Sequence, residues 1–112
     1  MSIEDVSLPA PERTLQDFWV EQGEWSEETF GPSAERGPAG PLRHLQKEIG
    51  ELAAADLEEE LADCLFLVFD AARRAGMTHG DMVYAVFAKL SKNKRRKWSV
   101  PSNPDQPVEH VR

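Results

Sequence analysis

Glu48 with Glu51, and Glu60 with Asp63, form two pairs of acids spaced i,i+3, so each pair stands on one face of a helix one turn apart. Each pair flanks an apolar stripe instead of opposing it: Leu45, Ile49 and Leu52 for the first, Leu57, Leu61 and Cys64 for the second. Stripes that pack together would bring the four carboxylates to the edge of one core. Like charges held there repel strongly unless cations neutralise them. Oxygen donors of this kind suit magnesium, with manganese able to substitute, and magnesium in a carboxylate cage points to phosphate chemistry. Any one such pair is usually a solvated acidic face. Two of them on consecutive helices, both beside a stripe, favour the metal site.

Other residues fit the same chemistry. His44 lies one turn before Glu48 and could be a ligand, a surface residue or, the favoured reading, a hydrogen-bond donor that steadies a metal-bound carboxylate. Zinc is disfavoured, because three scattered histidines and Cys64 make no tetrahedral set. Lys89, Asn93 and Arg96 recur at i, i+4 and i+7, one stripe able to meet a triphosphate and its sugar. Lys94, Arg95 and Lys97 read as a solvated helix end favoured by the helix dipole. Trp25 and Phe30, beside a Gly/Pro-rich loop, are the better candidates to stack on a base; Trp19 and Trp98 are weaker ones.

The elements that must position these groups are helical. At 112 residues the chain forms one domain with a modest core. Residues 1–13, with Pro9 and Pro11, read as an arm. Thr14 with Asp17 caps a short helix carrying Leu15, Phe18 and Trp19 and reaching towards Trp25. Gly31–Pro41 holds three Gly and three Pro and is a loop. A helix then runs from Leu42 to about Ala55 on the stripe Leu42, Leu45, Ile49 and Leu52. Asp56 with Glu59 opens the next, which presents Leu57, Leu61, Cys64, Val68 and Ala75 and stops at Gly76. Thr78 with Asp81 opens a third long helix, containing Met82, Val83, Val86, Phe87 and Leu90 and continuing towards Trp98. The 99–112 tail, with Pro101, Pro104 and Pro107, is extended. No alternating strand pattern is present, so the fold expected is an all-α bundle of three long helices and a short one spanning 14–98. Short links make neighbouring helices antiparallel. So small a bundle completes its core by association, as a homodimer or tetramer.

Composition excludes several classes. A net charge of −7 repels phosphate backbones, so general nucleic-acid binding is not expected, although Lys89–Lys97 holds six basic residues. The longest apolar run, Cys64–Phe69, is too short to span a bilayer, and no signal-peptide pattern is visible. A lone cysteine, read as a buried small hydrophobe, fits the cytoplasm.

Taken in order, these residues resemble the MazG-like all-α nucleoside triphosphate pyrophosphohydrolases, whose pattern is ExxE on one helix and ExxD on the next, here Glu48-Ile-Gly-Glu51 and Glu60-Leu-Ala-Asp63. A closer likeness is to the dATP/dGTP diphosphohydrolase branch of phages and bacteria, including phage (d)GTP diphosphohydrolases. The matching pieces are Trp25-Ser26, Thr29-Phe30-Gly31-Pro32, His44, Lys47-Glu48, Glu60, Asp63, Asp70 and Arg74-Ala75-Gly76. They continue through Lys89, Lys92-Asn93, Arg96, Trp98 and Glu109-His110-Val111-Arg112. The resemblance implies hydrolysis of a purine nucleoside triphosphate to monophosphate and pyrophosphate, with two or more magnesium ions per site. It carries Glu48, Glu51, Glu60 and Asp63 over as metal ligands, and Lys89, Asn93 and Arg96 as phosphate or sugar contacts. Many members have a glutamate just before the first ligand; this chain has Lys47, which leaves Glu48, through a metal-bound water, and Asp70 as candidate general bases. Two alternatives stand beside this reading: a pyrimidine or modified-nucleotide pyrophosphatase, and a non-catalytic helical partner module.

Overall fold

The computed structural model describes residues 12–50 and 56–111. Most of the N-terminal arm, Glu51, Leu52 and the junction at Ala55 lie outside the described residues, as does Arg112. The elements are α1 (Leu15–Phe30), α2 (Ala39–Gly50), α3 (Leu57–Arg74), α4 (His79–Arg95), β1 (Trp98–Ser99) and β2 (Glu109–His110). The chain divides into two compact units between His79 and Gly80. No described helix is long and apolar enough to cross a membrane.

In the first unit, α1 starts at the expected capping box. Thr14 Oγ1 accepts from the Asp17 N–H at 3.2 Å, and Asp17 Oδ2 accepts from the Thr14 N–H at 3.0 Å. The helix is longer than its sequence suggested and runs through Trp25 to Phe30. Its buried stripe is Trp19, Gln22, Gly23 and Ser26, with correct helical spacing but mostly polar, so hydrophobic periodicity did not reveal it. Phe18 and Trp19 pack on Phe69 of α3 with ring centres 5.7 and 5.4 Å apart, and Trp19 also meets His79 edge-on at 5.9 Å.

Helix α2 begins inside the expected loop. The Pro38 carbonyl accepts from the Leu42 N–H at 3.1 Å, and Pro41 occupies the first turn, where no intrahelical donor is needed. Its predicted apolar stripe is not a buried face, since Leu42 and Ile49 are exposed and Leu45 is half-buried.

Helix α3 is capped by Asp56, whose side chain accepts from the Glu59 N–H at 3.1 Å. It ends in a Schellman motif: the Gly76 N–H donates to the Arg73 carbonyl, the Met77 N–H to that of Ala72, and Gly76 holds φ at +95°. The face expected to be buried is a correction. Leu57, Leu61 and Ala75 are exposed, whereas Leu67, Phe69, Asp70, Ala71, Ala72 and Arg74 are buried. The reason is that α3 is wedged between α1 and α2, so its buried arc is set by two neighbours and includes charged residues. Helix α1 lies across α3: Phe66 meets Phe18, Gln22 and Trp25, and Arg73 meets Gln22 and Glu27. Helix α2 runs antiparallel to α3, its start near Arg74 and its end near Glu60 and Asp63.

In the second unit, no residue of α4 is buried, and Val83, Val86, Phe87 and Leu90 are exposed. The helix ends at Arg95 instead of continuing to Trp98, and the tail departs from the extended form expected. It folds back as a two-residue antiparallel ladder pairing Trp98 with His110 and Ser99 with Glu109, and the Val111 N–H adds a 2.7 Å bond to the Lys97 carbonyl. The proline-rich stretch is the turn between the strands. So short a ladder leaves no period-2 signal to read.

Gly76 tests the α3 terminus. A Cβ there meets no atom within 4 Å, so its substitution isolates backbone strain. Gly76→Ala is expected to cost about 1–2 kcal/mol in urea unfolding; an unchanged midpoint would refute the left-handed cap.

Candidate active site

One carboxylate oxygen from each of Glu48, Glu60 and Asp63 lies within 4.8 Å of the others. Glu48 comes from the last turns of α2, and the other two from the first turns of α3, where antiparallel packing brings the helix ends together. Glu51, the fourth acid of the expected set, lies outside the described residues. His44 Nε2 is 3.0 Å from Glu48 Oε1, which places it where a donor to a metal-bound carboxylate belongs.

The electrostatics follow from crowding. Burial first, then the charges of Glu48 and Glu59, push the Asp63 carboxyl above its usual range, with His44 pulling the other way. The half-buried Cys64 thiol is likewise pushed up, by burial and then by Glu48, Glu60 and Asp63, so it stays protonated and is a poor metal ligand. All the donors in the cluster are hard oxygens. Ligands of one octahedral magnesium or manganese ion lie up to about 4 Å apart, so this group is within small side-chain adjustments of holding one. The residues present fit a divalent cation.

Glu48 and Asp63 also line a cleft of about 800 Å³. One wall is aromatic. Trp25 stands edge-on to Phe30, with ring centres 5.2 Å apart, and to Phe66 at 5.6 Å, and both Trp25 and Phe30 stay about half exposed. The 35–41 segment supplies the lip, with Glu35 and Arg36 among the residues that line the cleft. Trp25, Phe30, His44, Glu48, Asp63 and Asp70 thus share one cavity, although in sequence they span three helices.

Asp70 lines that cleft, but its carboxylate is engaged from several sides. Oδ1 accepts from the Ser26 hydroxyl at 2.6 Å and from Arg73 Nη2 at 2.5 Å, and Oδ2 faces Arg74 Nε at 3.4 Å. Arg74, with only 2 % of its side chain exposed, continues outward. It donates to the carbonyls of Ser26, Gly31 and Arg36 at 3.2, 3.0 and 3.2 Å, and to Ser26 Oγ at 3.0 Å. Arg73 reaches Gln22 at 3.2 Å and lies 3.7 Å from Glu27. The Ser33 hydroxyl, aided by its backbone N–H and by Arg74 and Arg73, holds Glu27 below the ordinary carboxylate range.

In the second unit, the Asn93 side-chain oxygen accepts from Arg96 Nη1 at 3.3 Å, and its carbonyl accepts from Trp98 Nε1 at 2.8 Å. Asn93 therefore organises the end of α4 while its amide donors face away from those two bonds. Lys89 lies one turn earlier on the same helix.

A family model for dATP/dGTP pyrophosphohydrolase matches residues 18–112. The chain belongs to the dATP/dGTP pyrophosphohydrolase family. Proteins similar to it include the Eaa protein of Salmonella phage P22, 42% identical over 106 residues, or 93% of this chain and 31% of that protein. The dATP/dGTP diphosphohydrolase of Cyanophage S-2L is 39% identical over 72 residues, or 62% of this chain and 66% of that protein. The chain thus spans about a third of the first relative and just under two thirds of the second. Among solved structures, the Cyanophage S-2L MazG-like pyrophosphohydrolase bound to dGDP and three catalytic Mn²⁺ ions per active site matches with a TM-score of 0.70 at 33% identity. That match covers 93% of this chain and 100% of the other. The family and its MazG-like helical fold, both expected from the ordered motifs, are shown.

Sequence reasoning missed the roles of Ser26, Arg73 and Arg74, although Ser26 and Arg74 stand in the family motif. The available signal was the i,i+4 spacing of Asp70 and Arg74, beside a polar Ser26 on an otherwise helical stripe.

Two variants separate the cluster from the scaffold. In excess chelator, Asp63→Asn should melt no lower than the parent, because one of several crowded charges is removed; it should also lose most of the rise in Tm that manganese gives the parent. An Asp63→Asn protein still stabilised by manganese to the parental extent would refute the cluster as a metal site. Arg74→Leu should lose about 3–5 kcal/mol, since it takes one of two guanidinium groups from the buried Asp70 carboxylate and leaves the Ser26, Gly31 and Arg36 carbonyls without their donor.

Proposed function

We propose that this protein is a divalent-metal-dependent hydrolase that cleaves purine deoxynucleoside triphosphates between the α- and β-phosphates, releasing a monophosphate and pyrophosphate. One observation carries the reading: Glu48, Glu60 and Asp63 converge, and two of them, Glu48 and Asp63, line a cleft that the half-exposed Trp25–Phe30 pair also lines. Acids and aromatic faces in one cleft match the two ends of a nucleotide. The activities and ligands named for the cyanophage relatives support it.

Glu48, Glu51, Glu60 and Asp63 would hold the ions, magnesium in the cell with manganese as substitute, two or more per site. Bound there, the cations would supply charge compensation for the phosphates and a more acidic water as nucleophile. The residues then have distinct tasks. Glu48, steadied by His44, accepts the proton of the attacking water. Asp70, tied to Ser26, Arg73 and Arg74, positions the cleft wall, its own carboxylate being held from three sides. Trp25 and Phe30 take the base, and Lys89, the Asn93 amide and Arg96 meet phosphate or sugar. The apolar residues left exposed on α4 support assembly into a homodimer or tetramer. The proposed setting is the cytoplasm.

With magnesium or manganese the protein should release one pyrophosphate per dGTP or dATP consumed. Glu48→Gln should lower kcat by more than the roughly 10–100-fold typical of losing a mere partner of a ligand, with an unchanged helical circular-dichroism spectrum. Trp25→Ala should raise KM about 10-fold, as expected for loss of one stacking contact. Failure to release pyrophosphate from any purine triphosphate with either metal would overturn the assignment.

A further inference from the structure

Every charged residue lining the cleft falls into one of three groups. Glu48 and Asp63 belong to the acidic cluster, with His44 against Glu48. Asp70 and Arg74 are bonded to each other and to α1. What remains is an adjacent acid and base on the lip, Glu35 and Arg36. Their backbone is fixed. The N–H groups of both donate to the Pro32 carbonyl, at 3.0 and 3.1 Å, and the Arg36 carbonyl accepts from the buried Arg74. The Arg36 side chain is steadied as well, with Nη1 on the Phe30 carbonyl at 3.1 Å and its aliphatic stem close to Gly31, where an added Cβ would come within 3.3 Å of Cδ. That bond ties the guanidinium to the residue whose ring forms the aromatic wall, and leaves its other donors for a ligand.

We infer that Glu35 and Arg36 read the edge of the purine base and select guanine over adenine. This deepens the hydrolase reading above and rests on it. The argument is one of complementary donors and acceptors. A carboxylate only accepts hydrogen bonds, and a guanidinium only donates. Guanine presents N1–H and the 2-amino group side by side, next to the O6 acceptor and N7. A neighbouring acid and base match that order, the acid on N1–H and the 2-amino group, the base on O6 or N7. Adenine reverses it: its N1 lone pair would face the carboxylate, and its 6-amino group would face the guanidinium. Stacking on Trp25 and Phe30 tolerates either base, so the choice falls to the polar pair.

The test compares kcat/KM for dGTP, dATP and dITP, the last lacking only the 2-amino group, in the full chain with manganese. The variants are Glu35→Ala, Glu35→Gln and Arg36→Ala. Equilibrium binding of dGDP and dADP gives a second readout independent of turnover. The parent should prefer dGTP over dATP and should penalise dITP. Glu35→Ala should shrink the dGTP:dATP ratio by about 10–100-fold, the scale of one good bidentate base contact, and should erase the dITP penalty. Glu35→Gln, which keeps one acceptor, should fall between. Arg36→Ala should shrink the dGTP:dATP ratio while keeping the dITP penalty. If the variants turn over both purines but keep the parental ratios, including the case where both rates fall together, the lip is structural and the inference is overturned alone. A parent that prefers dATP overturns it too. A parent that hydrolyses no purine triphosphate overturns the hydrolase reading and this one with it.

Discussion

The geometry of the cleft depends on one buried ion pair, Asp70 with Arg74, on the last turns of α3. Both side chains are almost wholly removed from water, at 6 and 2 % exposure. Charges so placed are tolerated only when their hydrogen-bonding capacity is filled. Here filling it recruits the rest of the first unit. The guanidinium gathers the carbonyls of Ser26, Gly31 and Arg36, and those three residues belong to the end of α1 and the loop after it. One side chain therefore ties the end of α1, the Gly/Pro segment and α3 at a single point. A hydrophobic contact of equal size could hold the helices together, but it has no direction and would not fix where the 31–37 backbone lies.

That fixed backbone explains why a glycine-rich, proline-rich segment can take part in recognition. Such a stretch is costly to order. Gly31, at φ +106°, turns the chain out of α1, and Pro38 and Pro41 lead it into α2 with few backbone donors left over. Between these points, the Glu35 and Arg36 N–H groups bond to the Pro32 carbonyl, and Glu27 takes the backbone N–H and hydroxyl of Ser33. The loop is short of apolar contacts and rich in directed bonds.

How legible this was in the sequence depends on which physical signal each element uses. The Thr14–Asp17 capping box, the Asp56 cap and Gly76 mark the starts of α1 and α3 and the end of α3 through local hydrogen bonding, and they stand where the residues put them. The acidic pairs were legible because i,i+3 spacing is itself geometry. The buried faces were not. The α1 stripe is Trp, Gln, Gly and Ser, and the α3 arc contains Asp70 and Arg74, so apolar periodicity pointed to Leu57 and Leu61, which lie exposed. Periodicity finds a face buried by hydrophobicity; it is blind to one buried by mutual satisfaction of polar groups. Likewise α4 displays Val86, Phe87 and Leu90 to its surroundings, although their spacing is that of a core helix. The tail ladder is two residues long and rests on pairing between Trp98 and His110, distant in sequence.

The distribution of charge along α3 shows why one helix can both brace the fold and carry the acids. Glu58, Glu59 and Glu60 stand in its first turn and Arg73 and Arg74 in its last, each favoured by the helix dipole. The positive end of the dipole thus offsets part of the cost of gathering acids at the start of α3. Glu48 is the opposite case. It approaches the same point from the C-terminal end of α2, where the dipole disfavours a negative charge, and it adds its field to that of Asp63. The cluster is therefore balanced on one helix and unbalanced on the other. At the far end of α3, the Asp70 carboxylate is matched by two guanidinium groups in contact with it. Along α3, the unmatched negative charge is gathered at the meeting with α2, where a cation lowers the energy of the fold as well as supplying chemistry.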